Sequence, residues 1–390
     1  MFSSGSMCPA PGTVAAKATK AAATKADKQA LIVVSNGGRM VTKKQKVTLT
    51  AEKKSLQQAA AAVPGVEFPY DITYAAQVPP VLVGGDPVQA NDIDDCGCGR
   101  AVIAYNTAGD VFAGAIQIVD TTNPQAPTIT REIKFQAIDI NAVTTVGNTL
   151  YFGGQADPEL YGFKAFVAKV DLNNISAASI AAGMKGVRSH AVTSLAKSAD
   201  ELYVGVGAKD GGVEVLDLTN LAPKRFVAKT DVRSIAYTAA TGAIGLAGTT
   251  EAGTAAASFF PIAAGSTTQA INLGDFRSDY AKATIELGTG GLAYMGLSQA
   301  GMQVRKVAGG AVSYSLPNPS DDPLHATNGV STDNDLAFVA NGEYGFRVVR
   351  IKSLTGVGAA FGEVAGFHRL AGAQYDGEHY SANLVRYKGG

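Results

Sequence analysis

One aliphatic strand motif recurs, degenerate but in phase, along the last three-quarters of the chain. Its clearest copies are Ile116-Gln117-Ile118-Val119-Asp120-Thr121-Thr122-Asn123-Pro124 and Val213-Glu214-Val215-Leu216-Asp217-Leu218-Thr219-Asn220, with weaker ones around Val167, Phe259, Val304, Val348 and Val385. Taking positions 118, 169, 215, 260, 304, 348 and 386 as equivalent, the steps are 51, 46, 45, 44, 44 and 38 residues. A period in the mid-forties built from strands and turns is the mark of propeller blades, each of which buries its apolar faces on its neighbours. The spacing predicts an all-β fold, a seven-bladed β-propeller with a flexible N-terminal tail. Residues 68–390 shared among seven blades give about 46 residues each.

Charge and composition narrow the function classes. With 33 Lys plus Arg against 33 Asp plus Glu, no global field recruits nucleic acid or an anionic membrane. The 45 Gly residues and 17% charged residues suit short strands joined by tight turns, whereas the absence of Trp argues against WD-type repeats despite the similar period. No run of eighteen apolar residues offers a membrane-spanning helix.

The expected domains are a disordered low-complexity tail (1–29), an N-terminal extension (30–66) and the propeller (67–390). Within the extension, Ala30–Val34 and Lys46–Leu49 flank a Ser35-Asn36-Gly37-Gly38 turn signal and predict a hairpin. A short helix capped by Thr50 should follow, ending at Val63-Pro64-Gly65. Cys8, followed by an Ala-, Lys- and Thr-rich tether, reads as the lipid-anchored start of a mature lipoprotein or as part of a plain leader; Gly5-Ser6-Met7 matches the residues before a lipidated Cys poorly. The short last step of the repeat predicts a final blade completed by a strand from before Val102, which leaves no exposed edge.

The stretch Ile116–Pro124, with its echo at Val213–Pro223, resembles the LVIVD repeat of bacterial surface and secreted proteins. His190-Ala191-Val192 before Leu202-Tyr203-Val204 is similar to the inner strand of that family. The likeness covers roughly residues 68–390 and departs from the pattern at Phe259-Phe260-Pro261-Ile262 and at Lys306. It implies a seven-bladed propeller outside the cytoplasm and no established chemistry.

In-phase placement of the inner strands puts Asp139, Arg188, His190, Arg233, Lys282 and His325 at the entrance of successive innermost strands, around one mouth of the central channel. Cations ringing a concave opening focus potential on an anionic ligand. The plainer alternative is that they bond loop carbonyls and one another and fix the rim. Asn91-Asp92-Ile93-Asp94-Asp95-Cys96-Gly97-Cys98-Gly99 reads as an acidic loop. Its Cys96 and Cys98 can form a local disulfide, remain free thiols or bind a metal, although zinc sites ordinarily use two Cys-x2-4-Cys pairs and no second pair accompanies this one. Nucleophile-elbow, phosphate-loop and His-Glu-x2-His motifs are missing from the sequence, and no cofactor is expected.

These features point to a non-enzymatic extracellular or cell-surface propeller that presents rim loops to a protein or polysaccharide partner. Two rivals remain: a lyase or hydrolase acting on an anionic substrate at the channel mouth, and a structural subunit that self-assembles through low-charge outer strands.

Overall fold

Strands of four to ten residues, punctuated by Gly- and Asp-containing turns, pair with their sequence neighbours into antiparallel sheets, most of them four-stranded. The structure, a computed structural model, describes residues 29–36, 41–47, 72–77, 81–107, 111–208, 210–249, 255–262, 271–275, 282–333, 336–352, 361–368, 374–375, 378–379 and 381–387. Cys8 and the segment expected to form the Thr50-capped helix lie outside the described residues.

Among the described residues, six sheets of four or more strands follow one another along the chain. From the axis outward, the first contains Asp86–Asp95, Arg100–Asn106, Ala113–Asp120 and Thr128–Gln136, with the short strand Val81–Val83 paired to the start of Asp86–Asp95. The second contains Ile138–Val146, Thr149–Ala156, Ala165–Asp171 and Met184–Val187, and the third Val192–Lys197, Glu201–Val206, Gly212–Asp217 and Pro223–Ala228. The fourth is built from Val232–Thr238, Gly242–Thr249, Ala255–Pro261 and Ile271–Asp275, the fifth from Thr284–Gly288, Leu292–Gly296, Met302–Lys306 and Val312–Leu316. Gly329–Asp333, Leu336–Ala340, Phe346–Lys352 and Phe361–His368 make the sixth. The first strand of each sheet lies against the first strand of the next, so these strands surround a common axis.

The repeat motif occupies the third strand of all six sheets. Its Asp ends the strand by accepting from the turn: Thr122 N–H donates to Asp120 Oδ1, Asn173 N–H to Asp171 Oδ1 and Thr219 N–H to Asp217 Oδ1, each at 2.9 Å. The copy around Val385 is different. It lies in an irregular segment, Ser381–Tyr387, rather than in a third strand, so the 38-residue step compares positions that are not equivalent.

That segment sits between the sixth and first sheets. Ala382 N–H donates to Gly342 O at 2.8 Å, Tyr387 stacks on Phe338 with ring centroids 5.4 Å apart, and Asn383 Nδ2 reaches Ala90 O at 3.4 Å. Among the described residues, then, the C-terminal segment rather than an N-terminal strand bridges the two ends of the array. The expected hairpin is also replaced. Ile32–Asn36 pairs with Thr128–Gln136 at the outer edge of the first sheet, and Val41–Val47 pairs with Ile72–Gln77. Thr128–Gln136 offered Ile32 and Val34 an open edge and an apolar surface, which a two-stranded hairpin alone lacks.

The core lies between sheets. Ile116, Ile118, Ile133 and Phe135 of the first pack against Ile138, Ile140 and Phe152 of the second, all with at most 2% of their surface exposed. Each such burial contributes roughly 1.5–3 kcal/mol. The sheets approach closely enough that backbone meets backbone. A Cβ on Gly114 would lie 2.8 Å from Ile138 O, 2.8 Å from Ile140 N and 2.9 Å from Tyr105 O, none of which can swing away. Gly114→Ala should therefore lower the urea unfolding free energy by about 2–3 kcal/mol; an unchanged midpoint would show that the first two sheets are not in backbone contact.

Candidate functional site

The innermost strands carry polar and apolar residues in alternation, so one set of side chains faces the axis and the other the inter-sheet core. In the first four sheets, one extra residue interrupts this alternation. Ala90 pairs with Tyr105 and Asp92 with Ala104, leaving Asn91 unpaired; the same shift isolates Asn141 between Ile140 and Ala142, Thr193 between Val192 and Ser194, and Arg233 between Val232 and Ser234. Such bulges bend the strand and re-aim the extra side chain. In the fifth and sixth sheets the corresponding pairing is unbroken. The four bulge residues, together with Lys282 just before the fifth inner strand, line a cavity of about 890 Å³ on the axis.

This collar is partly satisfied from within. Asn106 Nδ2 donates to Asn141 Oδ1 at 2.9 Å, Asn141 Nδ2 to Val192 O at 3.1 Å, and Thr193 Oγ1 to Val232 O at 2.7 Å. Lys282 Nζ donates to Asn91 O at 2.6 Å, joining the fifth sheet to the first. Arg233 Nε lies 2.7 Å from Asp231 Oδ1, an ion pair by distance without the angle of a directed hydrogen bond. Gly248 makes room for that pair, because a Cβ there would stand 2.9 Å from Asp231 Oδ2 and 3.0 Å from Arg233 Nε. Asn91 Oδ1 is buried and has no partner among the described residues.

Beneath the collar, a second layer of side-chain acceptors ties neighbouring sheets together, except the second and third, which Asn141 Nδ2 and Lys197 Nζ join by donating to Val192 O and Thr145 O. Asp92 Oδ2 accepts from Val143 N–H at 2.8 Å, Ser194 Oγ from Ile235 N–H at 3.0 Å, and Ser234 Oγ from Ile285 N–H at 3.2 Å. Glu286 Oε1 accepts from Thr332 N–H at 3.0 Å and Ser331 Oγ from Tyr387 N–H at 2.9 Å. Arg386 then bridges back, 3.2 Å from Asp94 and 3.5 Å from Glu286. Asp94 also takes the Thr145 N–H and hydroxyl, each at 2.8 Å.

Burial sets the protonation behaviour of this interior. It pushes the Asp92 carboxyl up, opposed by the Val143 N–H and the nearby cations Arg386 and Lys282; it pushes the Lys282 ammonium down, opposed by Asp92. Asp139 is raised to about 6 chiefly by burial, against hydrogen bonds from Thr107 N–H, Ala113 N–H and the Thr107 hydroxyl.

Of the six residues expected to ring the mouth, only Arg233 and Lys282 reach the channel. Asp139 turns away to hold the loop between Asn106 and Ala113, accepting at 3.1–3.3 Å. Arg188 is exposed, paired with Glu214 and lying over the Phe226 ring at 4.7 Å. His190 is exposed near Lys164, and His325 contacts Ser320 Oγ at 2.6 Å and the Tyr344 ring. Arg188, His190 and His325 precede their inner strands, and Asp139, the second residue of its strand but not the bulge residue, is spent on Thr107 and Ala113. The Asn91–Asp95 stretch, read as an acidic loop, is half of an innermost strand. Its Asp92 and Asp94 form a legible alternating Asp-Ile-Asp pair beside Asn91, whereas Asn141, Thr193, Lys197, Glu286 and Arg386 carry no local signal that marks them.

Cys96 and Cys98 are joined by a disulfide across the turn to Arg100, at the strand ends remote from the collar, with Cα atoms 5.1 Å apart. Among the described residues, no group of three or more His, Cys, Asp or Glu is gathered to hold a metal, and no helix is long and apolar enough to cross a membrane.

No family model and no curated protein matches the chain. Its fold is similar to the solved structure of the RRP9 WD40 repeats, with a TM-score of 0.54 and 9% identity over 78% of this chain and 85% of that one. It is also similar to the structure of U3-55K, with a TM-score of 0.51 and 9% identity over 78% of this chain and 86% of that one. The fold is a β-propeller. The propeller is WD40-like in its path through space without sharing the Trp of those repeats.

Asp139 provides a pH test of the rim. Its folded-state pKa of about 6 exceeds the ordinary 3.8, so its contribution to stability is fully present below about 3.8 and is lost as pH rises through about 6. Asp139→Asn should remove on the order of 2 kcal/mol of this decline between pH 4 and 7 in urea unfolding; equal pH slopes for variant and parent would place Asp139 in water.

Proposed function

We propose that the protein is a non-enzymatic propeller scaffold that binds a protein or polysaccharide partner through the face on which the inner strands begin. One observation carries this reading. The interior carboxylates Asp92, Asp94 and Glu286 accept backbone N–H groups of the neighbouring sheet, which gives them a structural task, while the collar above them keeps open hydrogen-bonding groups. A site with unspent donors and acceptors but committed carboxylates is suited to holding a ligand rather than to moving protons.

The finer reading is a seven-bladed ring of the LVIVD type. Ser381–Tyr387 supports the seventh place, since Tyr387 N–H donates to Ser331 Oγ as Ile285 N–H donates to Ser234 Oγ. The Cys96–Cys98 disulfide supports a location outside the cytoplasm, at the cell surface or secreted, because such bonds persist in oxidising compartments. A lipid on Cys8 would tether the scaffold there.

A photo-crosslinking residue in place of the exposed His190 tests this reading on living cells. It should yield an adduct with one defined surface protein or polysaccharide. Adducts formed only from the outermost strands, for example from a crosslinker at Ser315, would instead favour self-assembly, and conversion of a bound partner to products would overturn the non-enzymatic reading.

A further inference from the structure

Bulges in four consecutive sheets aim four side chains at one point on the axis, and the chemistry of those side chains is not that of a sealed core. Asn91 is 8% exposed, yet its Oδ1 has no partner among the described residues although its own backbone carbonyl is taken by Lys282. A buried carboxamide oxygen left unpaired costs about 1–3 kcal/mol, so the vacancy calls for a ligand O–H or N–H. Facing the same cavity, Arg233 spends only its Nε on Asp231; its two terminal amino groups make no hydrogen bond among the described residues. A guanidinium with its fork open matches a carboxylate better than any neutral acceptor. Lys282 adds a second positive charge to the same wall, partly offset by Asp92; the other lining carboxylates, Asp94 and Glu286, are paired with Lys197 and Arg386.

Size and lining complete the match. The cavity of about 890 Å³ lies within the roughly 300–1,000 Å³ typical of small-molecule sites, which exceeds what a single hydroxy acid fills. Asn106, Asn141 and Gln155 line it beside Asn91, and carboxamides both donate to and accept from adjacent hydroxyls. A ligand that combines several hydroxyls with a carboxylate meets all of these groups at once.

We infer that the bulge collar is a binding site for an acidic saccharide, with a uronate carboxylate on Arg233 and Lys282 and a sugar hydroxyl donating to Asn91 Oδ1. This inference rests on the scaffold reading above and names the partner class for its mouth. The Asp231–Arg233 pair and the Gly248 gap position the guanidinium, so Asp231 is a positioning residue rather than a contact.

The test is calorimetric titration of the full chain with trigalacturonate and with trigalactose, its neutral counterpart. The parent protein should bind trigalacturonate at least tenfold more tightly than trigalactose. Arg233→Gln should lose at least tenfold, Arg233→Lys less, and Asn91→Leu threefold or more, while Arg188→Gln on the exposed rim should bind as the parent does. Should Arg233→Gln fail to fold, the acid-to-neutral ratio of the parent and the Asn91→Leu result still decide. Equal affinity for the two sugars, no binding of either, or full retention in Asn91→Leu would overturn the inference. If inorganic phosphate competes as well as trigalacturonate at equal concentration, the site is a bare anion site and the saccharide assignment falls. A surface adduct from His190 alongside a failed titration would leave the scaffold standing and remove only the acidic saccharide.

Discussion

The ring depends on a hydrogen bond that no single sheet can make for itself: a side chain of one inner strand accepts a backbone N–H of the next. Inner strands in a radial array cannot pair edge to edge, because sheets meet face to face, so backbone groups that point at the neighbouring sheet need side-chain partners. Asp92, Ser194, Ser234, Glu286 and Ser331 supply them. The apolar faces drive the sheets together without specifying their order; these directed bonds set the spacing and phase at five junctions, and Asn141 and Lys197, donating to Val192 O and Thr145 O, do so between the second and third sheets.

The same constraint explains how the array ends. A terminal sheet would leave Ser331 without a donor and Asp94 with Lys197, at 3.8 Å, but without a second cation. Ser381–Tyr387 fills both vacancies without forming a regular strand, using its Tyr387 N–H toward the sixth sheet and its Arg386 side chain toward the first. Ionic closure of this sort is more sensitive to salt than a shared strand, since partly exposed ion pairs are screened.

What the amino-acid order revealed depended on whether the signal was periodic. Third strands with an aliphatic run and a terminal Asp announced themselves at Ile118 and Val215, and the turn role of Asp120 and Asp217 followed from local chemistry. The alternation of the inner strands is present at Asp92 and Asp94, but the neighbouring Cys96 and Cys98 mask it by signalling a loop. The collar was illegible in principle to period-two reading. A bulge adds one residue and shifts every later side chain to the other face, so Asn91, Asn141, Thr193 and Arg233 look misplaced until their partners are known. Arg188 and His190 erred in the opposite sense: they stand in the right order along the chain, but before the strand that would have carried them inward.

The most direct measure of blade-to-blade bonding is amide hydrogen exchange at Tyr387 in Ser331→Ala. If the side-chain acceptor of one sheet holds the backbone of the next element in the ring, the parent amide is protected, and the substitution accelerates its exchange at least about tenfold while Ile285, held by Ser234, is unchanged. A Tyr387 amide that already exchanges at the open-chain rate in the parent, or whose rate does not respond to the loss of the Ser331 hydroxyl, would contradict the account.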